Sequence, residues 1–130
     1  MTIHRRSFAE LLAGLGLSVL SIPAFAQAKT VEVLMKQGAK SRFDPDTVVI
    51  SIGDTVKWTN TGFVTHSVTF DPSMAAKAGD VVLPPGVAPF DSGSIEEDGT
   101  FSHTFTVTGT YKYICKFHEA MGMVGTIVVR

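Results

Sequence analysis

Four side chains that can bind a soft metal ion lie close together near the C-terminus of this sequence. Cys115 is the only cysteine, His118 follows after two residues, and Met121 and Met123 come next. Thiolate and thioether sulfur favour copper, whereas a structural zinc normally completes a tetrahedron with cysteine, histidine or carboxylate ligands. A copper site with two histidines, one cysteine and a weak axial methionine needs a second histidine, and the chain offers His66.

The first 26 residues predict a cleaved export signal. Arg5 and Arg6 supply its positive region, residues 11–20 its apolar stretch, and Ala24-Phe25-Ala26 its cleavage site. The apolar stretch is too short for a comfortable membrane span. The paired arginines resemble a twin-arginine signal, with the general secretory route as the alternative. We therefore expect a cleaved signal over residues 1–26 and a mature chain in the periplasm or another exported location.

The remaining residues, 27–130, predict one domain without an integral membrane segment. The whole chain has a formal net charge of -1, so its charge gives no reason to expect nucleic acid or an anionic membrane surface as a partner. A lone cysteine in an exported domain cannot form an internal disulfide. A buried, inert thiol is one explanation for Cys115, and a metal ligand is the one we favour.

Alternating apolar residues predict an all-β domain. Val31, Val33 and Met35 alternate with Glu32, Leu34 and Lys36, and the same period recurs along the mature chain. The pattern predicts half-buried antiparallel strands at residues 31–36, 48–53 and 55–59. A Greek-key β-sandwich or barrel is the architecture that so many short strands and turns favour. The predicted strands cover residues 31–36, 48–53, 55–59, 66–70, 101–107, 110–115 and 124–129.

Residues 71–94 interrupt this pattern. Ser73 is placed to cap a short helical run, Met74 to Ala78, which Gly79 would end. The prolines that follow predict an irregular surface excursion.

Several motifs, in this order and on these predicted strand ends, are together highly specific. The motifs are Phe43-x-Pro45, Gly53-Asp54-x-Val56-x-Trp58-x-Asn60, Thr65-His66-x-Val68 and Gly109-x-Tyr111-x-Tyr113-x-Cys115-x-x-His118-x-x-x-x-Met123-x-Gly125. With these motifs the chain resembles a small single-domain cupredoxin of the plastocyanin, pseudoazurin and amicyanin group, from about Val31 to Val129.

The resemblance implies one type 1 copper ion bound by His66, Cys115 and His118 with an axial methionine. Four residues separate His118 from Met123, as in the plastocyanin and pseudoazurin pattern, and an x-Gly follows Met123. The shorter amicyanin loop would instead select Met121. We expect Met123 to be the axial ligand.

The function that the resemblance implies is that of a soluble, exported one-electron carrier rather than an enzyme. A periplasmic copper carrier or storage protein is the alternative, because it could use the same ligands. We expect a monomer whose redox partner proteins dock transiently near His118 on an apolar surface. The candidates for that surface are Gly62, Phe63, Val64, Pro84, Pro85 and Met121.

Four other features of the sequence bear on the site or on partner docking. His103 predicts a hydrogen-bonded, partly buried strand residue rather than a ligand. Asn60 either forms a turn or holds the ligand loops together by hydrogen bonds. The acidic run Glu96-Glu97-Asp98 is either a solvated turn or a second docking surface. Ile114 stands where plant plastocyanins have a surface tyrosine, so a remote electron route through that position is not expected.

Overall fold

The computed structural model describes residues 27–130, together with Gly14 and Gly16. The predicted signal peptide lies outside the described residues apart from these two glycines. Among the residues described, no helix has the length and apolar character needed to cross a membrane. The strands are β1 Thr30–Lys36, β2 Arg42–Asp44, β3 Thr47–Ile50, β4 Thr55–Asn60, β5 Thr69–Phe70, β6 Phe90–Asp91, β7 Thr100–Thr104, β8 Gly109–Ile114 and β9 Val124–Val129.

The strands form two mixed sheets, which confirms the predicted all-β sandwich. One sheet has the strand order β2-β1-β4-β7 and the other β3-β9-β8-β5-β6. The expectation that the early strands are simply antiparallel is wrong, because β1 pairs in parallel with β4 and β3 with β9. Alternation reports which face of a strand is buried, but it does not report which strand lies beside it.

The two sheets are joined by aromatic side chains in a shared core. Trp58 of β4 and Tyr113 of β8 are fully buried, and the Trp58 Nε1–H donates to Tyr113 Oη at 3.0 Å. Phe70 of β5 stacks on Tyr113 with 4.7 Å between ring centroids. Tyr111 donates its hydroxyl to the Val107 carbonyl at 2.6 Å and so closes the turn that begins β8. Burying these rings fixes β4 and β8 relative to each other.

The predicted helix in the interruption is wrong in both its start and its length. A single 3₁₀ turn spans Pro72–Met74, and its cap is Asp71, whose Oδ1 accepts from the Ser73 N–H at 2.9 Å. Proline suits the first turn because it has no N–H that needs a partner. Ala75 then returns to an extended conformation, so the run to Ala78 does not form.

The same interruption also contains a strand that the sequence pattern did not reveal. β6 pairs antiparallel with β5, and Phe90 stacks on Phe70 with 4.5 Å between ring centroids. Two residues are too few to show a period, so this strand becomes visible only through its partner. It places Asp91 at the edge of the second sheet.

Gly125 is required where β8 and β9 meet. It pairs with Tyr113 in the register of these strands, and a Cβ at this position would overlap the Tyr113 ring.

We predict that Gly125→Ala lowers the free energy of unfolding by about 2 kcal/mol, because the ring must move within a packed core. Chemical denaturation of the copper-free protein measures this. Gly38→Ala is the control, since its Cβ would lie 3.5 Å from Arg42 Nη1, an ordinary contact; equal losses in both variants would contradict the prediction.

Candidate metal centre

Three of the predicted ligands converge at one end of the sandwich. His66, Cys115 and His118 each offer a donor atom, and these atoms lie within 4.8 Å of one another. Cys115 Sγ is 3.7 Å from His66 Nδ1 and 3.4 Å from His118 Nδ1. His66 and Cys115 are fully buried, whereas His118 is partly exposed. Residues far apart in sequence therefore present one sulfur and two nitrogens to a common point.

The loop from Cys115 to Met123 is held closed by its own backbone. Cys115 follows the last residue of β8, and its N–H donates to the Met123 carbonyl at 3.1 Å. The His118 N–H donates to the Cys115 carbonyl at 3.1 Å, and the Met123 N–H donates to the His118 carbonyl at 3.2 Å. These bonds join the ends of the loop directly to the β8–β9 pair.

His66 is positioned by pairing with Ile95 and by the side chain of Asn60. The His66 N–H donates to the Ile95 carbonyl at 3.1 Å, and the Ile95 N–H donates back at 2.8 Å. Asn60 is fully buried; its Nδ2 donates to the carbonyls of Val64 and Ile95, and its Oδ1 accepts from the Gly62 N–H. Both interpretations of Asn60 therefore apply, because it closes a turn with Gly62 and also ties the segment before His66 to Ile95.

The two methionines of the loop lie in different environments. Met123 is fully buried, while 46% of Met121 is exposed. A 3₁₀ turn over Glu119–Met121 precedes Gly122, which has a left-handed conformation with φ of 84°. Glycine adopts this conformation at little cost, and the reversal separates the outward Met121 from the inward Met123.

Ser67 also contacts the cluster, and the sequence analysis did not identify it. Its backbone N–H donates to Cys115 Sγ at 3.4 Å. A backbone donor can belong to any residue type, so no residue pattern could have revealed this contact. The only feature of the sequence that could have indicated this contact is the position of Ser67 directly after His66.

Burial favours the neutral form of both histidines in the copper-free protein. It lowers the pKa of His66 from 6.5 to about 4, with a further contribution from the nearby His118. Burial also lowers the pKa of His118. A neutral imidazole keeps the lone pair that a metal needs.

The donor set fits a copper ion. His66 Nε2 is buried without a hydrogen-bond partner among the described residues, while Nδ1 of the same ring faces the Cys115 sulfur. Nδ1 is therefore the nitrogen of this ring that is placed to share a metal with the Cys115 sulfur. Two imidazole nitrogens and one thiolate sulfur are the ligands that soft copper centres use.

Comparison with known proteins agrees with this chemistry. Residues 29–130 match the family described as copper binding proteins, plastocyanin/azurin family. The chain belongs to this family. Chloroplastic plastocyanin of Tetradesmus obliquus is 30% identical over 125 residues, which cover 91% of this chain and 78% of that protein.

Solved structures resemble this cupredoxin as well. Oxidised plastocyanin from Dryopteris crassirhizoma has a TM-score of 0.61 and 27% identity, covering 77% of this chain and 100% of that one. The Cu(I) form of an amicyanin mutant, in which alanine replaces a methionine, has a TM-score of 0.59 and 27% identity, covering 78% of this chain and 82% of that one. Copper as the cofactor and electron transfer rather than enzymatic catalysis, both expected from the sequence, are confirmed by this membership.

His103 lies apart from the three clustered donors in this cupredoxin. Its ring stacks on Phe90 with 4.0 Å between centroids and meets the edge of Phe105 at 4.8 Å. It is partly buried, as predicted, but it packs against aromatic rings.

Part of the predicted docking surface is wrong. Pro84 packs against Gly109, the first residue of β8. Cys115 lies six residues further along, about 20 Å away at the rise of an extended strand. Pro84, and Pro85 beside it in sequence, therefore belong near the other end of the sandwich from His118. The prediction was wrong because the sequence pattern did not show which end of the sandwich their loop covers.

We predict that the copper-free cupredoxin loses stability as the pH falls from about 6.5 to about 4. The unfolded chain protonates His66 near pH 6.5 but the folded chain only near pH 4, so in this window the unfolded state binds more protons. The loss reaches about 3 kcal/mol and is complete below this window. Denaturant titrations at several pH values measure it. His66→Asn should remove this part of the pH dependence, and an unchanged pH profile in that variant would contradict the assignment.

Proposed function

We propose that this cupredoxin is a one-electron carrier in which His66, Cys115, His118 and Met123 bind a single copper ion. The observation that carries the proposal is the convergence of one sulfur and two imidazole nitrogens, within 4.8 Å, in a member of the plastocyanin/azurin family. Copper bound there supplies a centre that cycles between Cu(I) and Cu(II).

The protein contributes a rigid and largely dry ligand set. Cys115 and His66 are inaccessible to water, and the loops that present them are held by backbone and side-chain hydrogen bonds. Ligands that cannot follow the preferred geometry of either oxidation state have little to rearrange when an electron arrives. Such rigidity favours fast electron transfer.

Met123 is the axial ligand in this proposal. It is buried and its backbone hydrogen-bonds with both Cys115 and His118. Met121 is the alternative that the loop spacing leaves open, but its exposed side chain favours a surface role.

The competing function, a copper carrier or store, fits this site less well. Release of a metal requires ligands that can leave their positions or be reached by a partner. Here His66 and Cys115 are fully buried, and backbone hydrogen bonds hold the segments that carry them. This arrangement supports retention of copper through many redox cycles.

Partners would dock on an apolar end surface, which we define as Phe63, Val64, Phe117 and Met121. All four side chains are exposed, and Phe63 is the most exposed of them at 79%. They flank the two histidines in sequence, next to the partly exposed His118. Gln37 Oε1 accepts from the N–H groups of Phe63 and Val64 at 2.6 and 2.9 Å, which holds the loop in place. A small preformed apolar surface suits brief electron-transfer encounters.

The cellular setting of the proposal is an exported one. Residues 1–26 would direct export and be removed after Ala26, and residues 27–130 would remain as the mature protein, which we propose to be a monomer. The support is the charged, apolar and small-residue order of the segment.

Ligand variants test the copper site. Cys115→Ser should abolish the intense visible absorption of the Cu(II) protein, because that band requires the copper–thiolate bond. Met123→Leu should keep copper bound and raise the reduction potential, and Met121→Leu should change the potential little. Visible and EPR spectra with voltammetry measure these effects. A blue Cys115→Ser protein would refute the site, and the reverse order of the methionine variants would select Met121.

Electron self-exchange between copies tests the apolar end surface. We predict that Phe63→Lys slows self-exchange at least about tenfold, because a positive charge disfavours apolar contact between two such ends. NMR line broadening in mixtures of the Cu(I) and Cu(II) proteins measures the rate. Val49→Lys adds the same charge at an exposed strand position that pairs with Val128, near the end of β9 away from the site. Equal slowing in both variants would show that charge, rather than this surface, controls the rate.

A further inference from the structure

We propose that Thr69 and Asp91 are positioning residues which, through Ser67, set the reduction potential of the copper site. Neither side chain hydrogen-bonds to a proposed ligand among the described residues. They belong to a hydrogen-bonded chain that includes the Ser67 hydroxyl, and the backbone N–H of the same Ser67 donates to Cys115 Sγ at 3.4 Å. The inference rests on the proposed function, because it concerns the environment of the ligand sulfur.

The chain begins at the residue after Cys115 and ends at a carboxylate. The Lys116 N–H donates to Ser67 Oγ at 2.9 Å, and Ser67 Oγ lies 2.9 Å from Thr69 Oγ1. Thr69 Oγ1 donates to Asp91 Oδ1 at 2.6 Å. Ser67 and Thr69 are fully buried, so their hydroxyl groups depend on these partners.

The carboxylate fixes the direction of every hydrogen bond in the chain. Ionised Asp91 can only accept, so the single hydroxyl proton of Thr69 points to Asp91. Thr69 Oγ1 must then accept from the Ser67 hydroxyl. The Ser67 hydroxyl uses its proton in this hydrogen bond to Thr69, so Ser67 Oγ accepts a hydrogen bond from the Lys116 N–H. Each hydroxyl thus has one orientation, and chains of this kind strengthen their members cooperatively.

Asp91 is itself held in place by several donors. Lys116 Nζ contacts Asp91 Oδ2 at 3.0 Å, and the Gly93 N–H donates to the same oxygen at 3.2 Å. Burial raises the pKa of Asp91, but the hydrogen bonds from Thr69 and Lys116, the Lys116 charge and the Gly93 bond outweigh it and hold the pKa below its usual value. The carboxylate is therefore charged and immobile at neutral pH.

The chain links the His66 segment to the Cys115 segment at the sulfur. Ser67 bonds the sulfur through its N–H and the backbone beside Cys115 through its hydroxyl. A donor to the thiolate stabilises the state with more negative charge at the sulfur, which is the reduced site. Hydrogen bonds around the cysteine sulfur tune the potential of such centres. A well-aligned Ser67 N–H therefore raises the reduction potential, and loosening the chain lowers it.

Removing the Thr69 hydroxyl tests this inference in the copper-loaded protein. Thr69→Val should lower the reduction potential and shift the thiolate-to-copper absorption band, whereas Thr69→Ser, which keeps a hydroxyl, should restore both. Thr104→Val is the matched control, because Thr104 Oγ1 shares a 2.6 Å hydrogen bond with Thr55 Oγ1 in the other sheet. It should leave the potential and the band unchanged.

A second measurement follows the chain without copper. In the copper-free protein, Thr69→Val should speed amide hydrogen exchange at Ser67 and Lys116, and Thr104→Val should not. Should Thr69→Val fail to fold, Asp91→Ala, which removes the acceptor of the Thr69 hydroxyl, replaces it with the same expectations. If the wild-type protein has a reversible potential and Thr69→Val or Asp91→Ala leaves it unchanged, this inference alone is overturned. A wild-type protein without a type 1 spectrum or a reversible potential would overturn the proposed function and this inference with it.

Discussion

The buried contact between Trp58 and Tyr113 is the interaction on which the metal centre depends. Trp58 lies in the strand that leads to the His66 loop, and Tyr113 lies two residues before Cys115. Their hydrogen bond and ring packing join β8, which leads to Cys115, to β4, which ends at Asn60. A displacement of one sheet against the other would move Asn60, which hydrogen-bonds to Val64 and Ile95 beside His66, relative to Cys115.

The second constraint is that almost every polar group near the sulfur has a partner. Asn60, Ser67, Thr69 and Asp91 are satisfied by backbone or side-chain groups, although most of them are buried. A buried polar group without a partner costs about 1–3 kcal/mol, so these contacts favour one arrangement of the ligand loops. Rigidity at the site is therefore a consequence of the same bonds that stabilise the loops. Phe63 and Met121, by contrast, are exposed and belong to the surface that we propose for partner docking.

Sequence reasoning was weakest where short segments depend on distant ones. β6 has two residues, and its identity as a strand comes from pairing with β5. Pro84 and Pro85 looked like neighbours of the site, but the packing of Pro84 against Gly109 places it near the opposite end of β8. In each case, the local residues were compatible with several positions and long-range packing selected one of them.

The sequence by itself determined the chemistry of this protein. One cysteine, the spacing of His118 and Met123 and a separate His66 predict a soft-metal donor set, and strand alternation predicts an all-β domain, because donor type and periodicity are local properties. The tertiary structure alone decided the parallel pairing of β1 with β4, the burial of Met123 rather than Met121, and the Asp91–Thr69–Ser67 chain. These features join residues distant in sequence, and their physical basis is close packing and hydrogen-bond satisfaction across the whole fold.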